Sequence, residues 1–155
     1  MLCFNVITRT AKVCFATVGW LENEVYPGIP ELLDRLCQAG KTMMVATSKP
    51  EVFARKILDH FQLAAYFSFV GGATLDGVRS TKEEVIDYVL KTNEVVSLSE
   101  VIMVGDRKFD ILGAKHAGVS SVGCVYGYGS REELETAGAD YVVDSIGELQ
   151  NLLLP

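Results

Sequence analysis

A chain of 155 residues with 49% apolar side chains is long and apolar enough for one domain around a substantial core, and 22% charged residues argue against disorder. A formal net charge of −6 excludes non-specific binding of nucleic acid, which needs a basic face, while leaving room for a small anionic ligand held by a few local cations. No apolar run reaches the ~18 residues of a membrane span, and the first residues lack a signal-peptide layout, so a cytoplasmic protein with no membrane partner is expected. Four cysteines (Cys3, Cys14, Cys37, Cys124) show no C-x-x-C spacing and read as small buried apolar side chains.

Met1 to Val18 contains no Asp or Glu and no helical period, although LCFNVIT and KVCFATV are strand-like. From Tyr26 the pattern becomes regular. Gly28 and Pro30 open a helix, Pro standing where its missing N–H costs nothing, and Ile29, Leu32, Leu33, Leu36 and Cys37 recur on one face until Gly40. Residues 42–47 (TMMVAT) form an apolar run too short for a helix and read as a buried strand. Pro50 starts a second helix carrying Val52, Phe53, Ile57 and Leu58. A strand over residues 66–70 ends in Gly71-Gly72, and Ser80-x-x-Glu83 reads as a capping box for a helix with Val85, Ile86, Val89 and Leu90 inward. The strand over residues 101–104 leads to a helix from Asp106 to Ala117, closed by Gly118. After a strand over residues 121–125, Ser130-x-x-Glu133 and Gly138 bracket a short helix. A brief strand at residues 141–143 and a last helix capped by Ser145-x-x-Glu148 complete the chain.

Apolar strands separated by capped helices predict an α/β fold: a Rossmann-like three-layer arrangement, a parallel sheet with helices on both faces. Ligands of such sheets bind beyond the carboxyl ends of the strands, which selects Thr47, Ser48, Gly71-Gly72, Asp106 and the 126–127 turn, with Lys82 in the first turn of a following helix. Asp106 and Asp110 share one face if the helix starts at once. Two hard oxygen groups there suit Mg²⁺ with its waters, or else they are an N-cap and a dipole-favourable acid. A lysine in a helix's first turn opposes the macrodipole, so Lys82 calls for an anionic ligand or a carboxylate nearby, unless it is a solvated surface side chain. Thr47-Ser48 can offer hydroxyls and free N–H groups to a phosphate oxygen, or simply cap the next helix. Lys49 reads as an exposed loop cation. Gly127-Tyr128-Gly129 is a lone glycine-rich turn, and His60 and His116 lack metal spacing.

VATSKP, then RSTKEEV, then VIMVGDRKFD, in that order, resemble the haloacid dehalogenase superfamily. Together with ENEVYPGIPELLDRL, ATLDGVRSTK and VYGYGSREELETAGADYVVDSIGEL they resemble its phosphoglycolate-phosphatase-like hydrolases. The resemblance covers residues 17–155, taken as the core domain, with residues 1–16 as an atypical N-terminal segment. It implies that Thr47 donates to the transferring phosphoryl group and that Lys82 offsets charge on the phosphate. It further implies that Asp106 ligates Mg²⁺ and that Asp110 supports the metal waters or the lysine. The partner it implies is a small phosphorylated metabolite.

The departure lies at the start. The family's D-x-D-x-T motif, nucleophile first and general acid–base second, has no counterpart, because no Asp precedes Asp34 and Asp34 falls inside a predicted helix. The helical cap is absent as well, so the chain reads as truncated or decayed and its N-terminal part as incomplete. A missing central strand would leave the strands at residues 42–47 and 101–104 with unpaired edges, open to self-association or to a complementing chain. One arrangement closes the gap: residues 2–8 lie between them, which puts Asn5 where the nucleophile belongs, and an amide cannot replace it. Three functions follow as expectations: a Mg²⁺ phosphate monoester hydrolase core inactive alone, a phosphate- or partner-binding pseudoenzyme, and one part of a split enzyme.

Overall fold

A computed structural model describes residues 1–4, 8–10 and 23–154. The strands are β1 (Leu2–Phe4), β2 (Thr8–Thr10), β3 (Asn23–Val25), β4 (Met43–Pro50), β5 (Phe69–Ala73), β6 (Ile102–Gly105), β7 (Ser120–Cys124) and β8 (Tyr141–Val143). The helices are α1 (Ile29–Gln38), α2 (Glu51–His60), α3 (Lys82–Thr92), α4 (Lys108–Ala117), α5 (Arg131–Ala137) and α6 (Ile146–Leu153). Six strands make one sheet in the order β5-β4-β1-β6-β7-β8, all neighbours parallel. This is the expected Rossmann-like α/β architecture.

Period-two alternation sorts the side chains to the two faces. Leu2, Phe4, Met43, Val45, Val104 and Val122 pack with Ile29, Leu33 and Leu36 of α1, Leu58 of α2, and Leu149 and Leu153 of α6. Cys3, Met44, Ala46 and Met103 turn the other way, onto Val85, Ile86 and Val89 of α3 and Ala114 of α4. Ser130 and Ser145 cap α5 and α6 by accepting from Glu133 N and Glu148 N, as their spacing predicts. Other boundaries move. The box before α3 is Thr81 with Glu84, not Ser80 with Glu83, and α4 begins at Lys108, so Asp106 precedes the helix. Residues 64–66 form a 3₁₀ turn, and β5 runs from Phe69 to Ala73. Val52 is 47% exposed, since α2 buries Ala54, Ile57 and Leu58.

The centre of the sheet is filled. Leu2, Cys3 and Phe4 pair with Met43, Met44 and Val45 on one side and with Ile102, Met103 and Val104 on the other. Leu2 N donates to Thr42 O at 2.8 Å, and Ile102 N donates to Met1 O at 3.0 Å. The N-terminal segment thus supplies the central strand instead of standing apart from the sheet, and the gap that would have admitted a strand from another chain is closed. The reason is local: three apolar residues, each at most 4% exposed, satisfy both facing edges. Thr8 does not extend β1, because residues 8–10 pair antiparallel with β3 in a separate ribbon. Asn5 lies outside the described residues, as does Cys14. Of the other cysteines, Cys3 and Cys124 are buried, whereas Cys37 is exposed on the outer face of α1.

Candidate functional site at the carboxyl edge

Four elements bring charged groups to the carboxyl end of the sheet. Lys82 opens α3, yet its side chain is 3% exposed, and Nζ lies 3.0 Å from Asp110 Oδ1 while donating to Ala46 O at 2.9 Å. The lysine therefore joins α3, α4 and the middle of β4. The carboxylate that a first-turn lysine calls for is Asp110, so the solvated-surface alternative is excluded. Two glycines permit this approach. A Cβ at Gly113 would meet Lys82 Cγ at 2.9 Å and Ile86 Cδ1 at 2.8 Å, and one at Gly105 would overlap the Asp110 carboxylate.

Asp110 has both oxygens engaged. Oδ2 accepts from Asp106 N at 3.1 Å and Arg107 N at 3.0 Å, while Oδ1 faces Lys82. It folds the GDRKFD turn back on itself and holds the lysine.

Asp106 is 5% exposed, and Oδ2 accepts from Tyr128 N at 2.8 Å. Burial raises its carboxyl above the ordinary range. The negative charge of Asp110 adds to this, and the Tyr128 N–H and the Lys82 charge oppose it. A buried carboxylate whose ionisation is resisted is a group that a cation would relieve. Among the described residues no three His, Cys, Asp or Glu side chains converge as a metal cage. A single buried carboxylate such as Asp106 falls within what Mg²⁺ accepts, since that ion keeps several waters and takes one or two carboxylates plus phosphate oxygens.

Thr47 is half-buried within β4, where the pairing with β5 shifts register, next to the carbonyl that receives Lys82, and its Oγ1 accepts from Lys49 N at 3.2 Å. Ser48 follows it in the strand and is exposed. Lys49 is half-buried rather than an exposed cation. Its Nζ donates to the buried Asn23 at 3.4 Å, and burial holds its pKa below the usual lysine value. Asp34 sits on the exposed face of α1, accepting from Gln38, away from all of these groups. His60 packs edge-on against Phe61 at the end of α2.

Some participants carry no sequence signal. The Ala46 carbonyl is a backbone atom, and Glu133 Oε1, which accepts from Arg107 Nε and Lys108 N at 2.9 Å each, reads from the sequence only as part of a cap. The Gly127-Tyr128-Gly129 turn gave a weak signal, and it reaches Asp106.

The family model "haloacid dehalogenase-like hydrolase" matches residues 11–124. A 5'-nucleotidase of Pseudomonas aeruginosa is 42% identical over 139 residues, covering 90% of this chain and 62% of that protein. A phosphoglycolate phosphatase of Vibrio parahaemolyticus is 37% identical over 135 residues, covering 87% and 59%. The crystal structure of a predicted phosphatase from Clostridium acetobutylicum superposes with a TM-score of 0.88 at 46% identity, over 90% of this chain and 64% of the other. The chain thus spans roughly three-fifths of the length of these relatives.

Proposed function

The chain belongs to the haloacid dehalogenase-like hydrolases, and we propose that it is the core of a Mg²⁺-dependent phosphate monoester hydrolase of the phosphoglycolate-phosphatase type that binds phosphate but does not turn substrate over as this chain alone. The observation that carries this reading is the Lys82–Asp110 pair, at 3.0 Å and almost wholly buried, beside Asp106 and against the Thr47 strand. A lysine held at this edge stabilises charge on a bound phosphoryl group in a site largely shielded from water. Thr47 and Ser48 supply hydroxyls to the phosphate oxygens. Asp106 is the residue that would hold Mg²⁺, which neutralises phosphate charge when bound. Asp110 keeps the lysine in place.

Turnover is missing for want of a nucleophile. No aspartate precedes Asp34, and Asp34 is at the solvent face of α1. Strand β1 supports the sheet, but the residue that follows it is Asn5, whose amide does not attack phosphorus. The same facts favour a second reading, a non-catalytic phosphate binder. The ligand under either reading is a small phosphorylated metabolite in the cytoplasm. The relatives differ, one being a 5'-nucleotidase and one a phosphoglycolate phosphatase.

The test is a melting curve with Mg²⁺ and inorganic phosphate, together with an assay on phosphoglycolate and p-nitrophenyl phosphate. Expected are a rise in Tm that Lys82→Met and Asp106→Ala each abolish, and no product. A Tm indifferent to both additives overturns the binding site. Robust Mg²⁺-dependent hydrolysis that Asp106→Ala removes overturns the incomplete-core reading.

A further inference from the structure

We infer that the Gly127-Tyr128-Gly129 turn is the seat that aims the Asp106 carboxylate, making Gly127 and Gly129 positioning residues for the cation. The inference rests on the assignment of Asp106 to Mg²⁺ made above and extends it to a loop on a different strand.

Three contacts from this turn converge on one residue. Tyr128 N donates to Asp106 Oδ2 at 2.8 Å, and Gly129 N donates to Asp106 O, also at 2.8 Å. The third is the absence of a side chain. A Cβ at Gly127 would overlap Asp106 Cβ and Oδ2 and lie 2.7 Å from Cγ, while one at Gly129 would overlap the Asp106 carbonyl oxygen. Neither glycine is among those with positive φ, so neither is required for a left-handed backbone. The glycines are therefore needed for space, and the space they leave is occupied by Asp106. Gly127 meets the side chain and Gly129 the main chain, so together they fix where the residue sits and which way it points. The turn is itself held at its base, where Gly127 N donates to Cys124 O at 3.3 Å at the end of β7. One oxygen of the carboxylate is thus tied to a backbone N–H, and the rotation of the side chain is limited by the glycine wall. Both effects lower the cost of presenting a carboxylate to a cation.

Two measurements on the purified full chain test this. In the first, Mg²⁺ is titrated calorimetrically into wild type, Gly127→Ala and Gly71→Ala. Gly71 is the control: its Cβ would overlap Val89 Cγ2 in the core beneath α3, with Asp106 not among its neighbours. Gly127→Ala is expected to weaken Mg²⁺ about ten- to a hundredfold, the range for groups that orient a metal ligand, while Gly71→Ala lowers Tm and leaves affinity within about twofold. Equal affinity in wild type and Gly127→Ala overturns the seat.

The second measurement needs no metal. The drop in Tm caused by Gly127→Ala is compared in wild-type and Asp106→Gly backgrounds, the latter giving the new methyl room. A clearly smaller drop in the Asp106→Gly background, or a double variant that folds where Gly127→Ala alone does not, supports the seat. Equal drops overturn it. If wild type itself takes up no Mg²⁺, the metal assignment fails and the metal-free comparison alone decides the seat.

Discussion

Helix α3 holds a lysine against an aspartate at each end. At its start Lys82 Nζ lies 3.0 Å from Asp110, with side-chain exposures of 3% and 1%. At its end Lys91 Nζ lies 3.2 Å from Asp87, with exposures of 79% and 35%. The residue types match and the distances differ by a fifth of an ångström. What differs is the surroundings. Lys91 satisfies the helix dipole at a C-terminus and is screened by water, whereas Lys82 opposes the dipole at an N-terminus and is nonetheless dry. Burial turns an ordinary surface contact into a fixed charge pair whose lysine also donates to the Ala46 carbonyl. Contact distance alone therefore says little about what an ion pair does in this molecule.

Lys82→Ala strikes this contrast hardest. It leaves Asp110 buried without its cation and is expected to lower stability by about 3–5 kcal/mol in urea unfolding. Lys82→Met combined with Asp110→Asn sharpens it, because the uncharged pair keeps an acceptor for the Asp106 and Arg107 N–H groups. The double variant should recover most of the lost stability without recovering the phosphate-dependent rise in Tm. A double variant as unstable as Lys82→Ala would show that the charge pair itself holds the two helices together.

Asp106→Asn probes the neighbouring carboxylate, and its effect depends on pH. Burial and the Asp110 charge raise the carboxyl above its ordinary 3.8, so the folded state binds this proton more tightly than the unfolded state does. Stability therefore falls as pH rises from 3.8 through the raised folded value, and above that window ionised Asp106 is a standing cost. Asparagine keeps the acceptor for Tyr128 N and removes the charge. The metal-free variant should melt higher than wild type at neutral pH. The gain should shrink as pH falls through the window and vanish below 3.8. A constant difference from pH 3 to 8 would contradict this.

Lys91→Ala is the smallest change. It should cost about 0.3–0.5 kcal/mol or less, and the loss should disappear in 1 M salt, where the Debye length is about 3 Å. The Lys82 pair should hardly respond to the same salt. Equal salt sensitivity of the two variants would remove the distinction between the ends of α3.

Much of the fold was legible in the residues. Apolar runs of strand length alternate with helices whose caps at Ser130 and Ser145 appear where the spacing puts them, because period and capping are local properties of the chain. The demand of Lys82 for a carboxylate was legible too, since the helix dipole can be argued from position alone. Strand β1 was harder. Residues 2–8 read as strand-like, but only Leu2–Phe4 form β1, and their place between β4 and β6 is selected by two edges distant in sequence that need a partner.

The sequence by itself determined the alternation of strand and helix, the order of Thr47, Lys82 and Asp106 along the chain, and the lack of an aspartate before Asp34. Only the tertiary structure decided that Asp110 serves the lysine, that Ala46 offers it a carbonyl, and that two glycines after β7 enclose Asp106. The reason is physical. Propensity, period and capping act over a few residues, whereas burial and close approach depend on which surfaces the folded chain presses together.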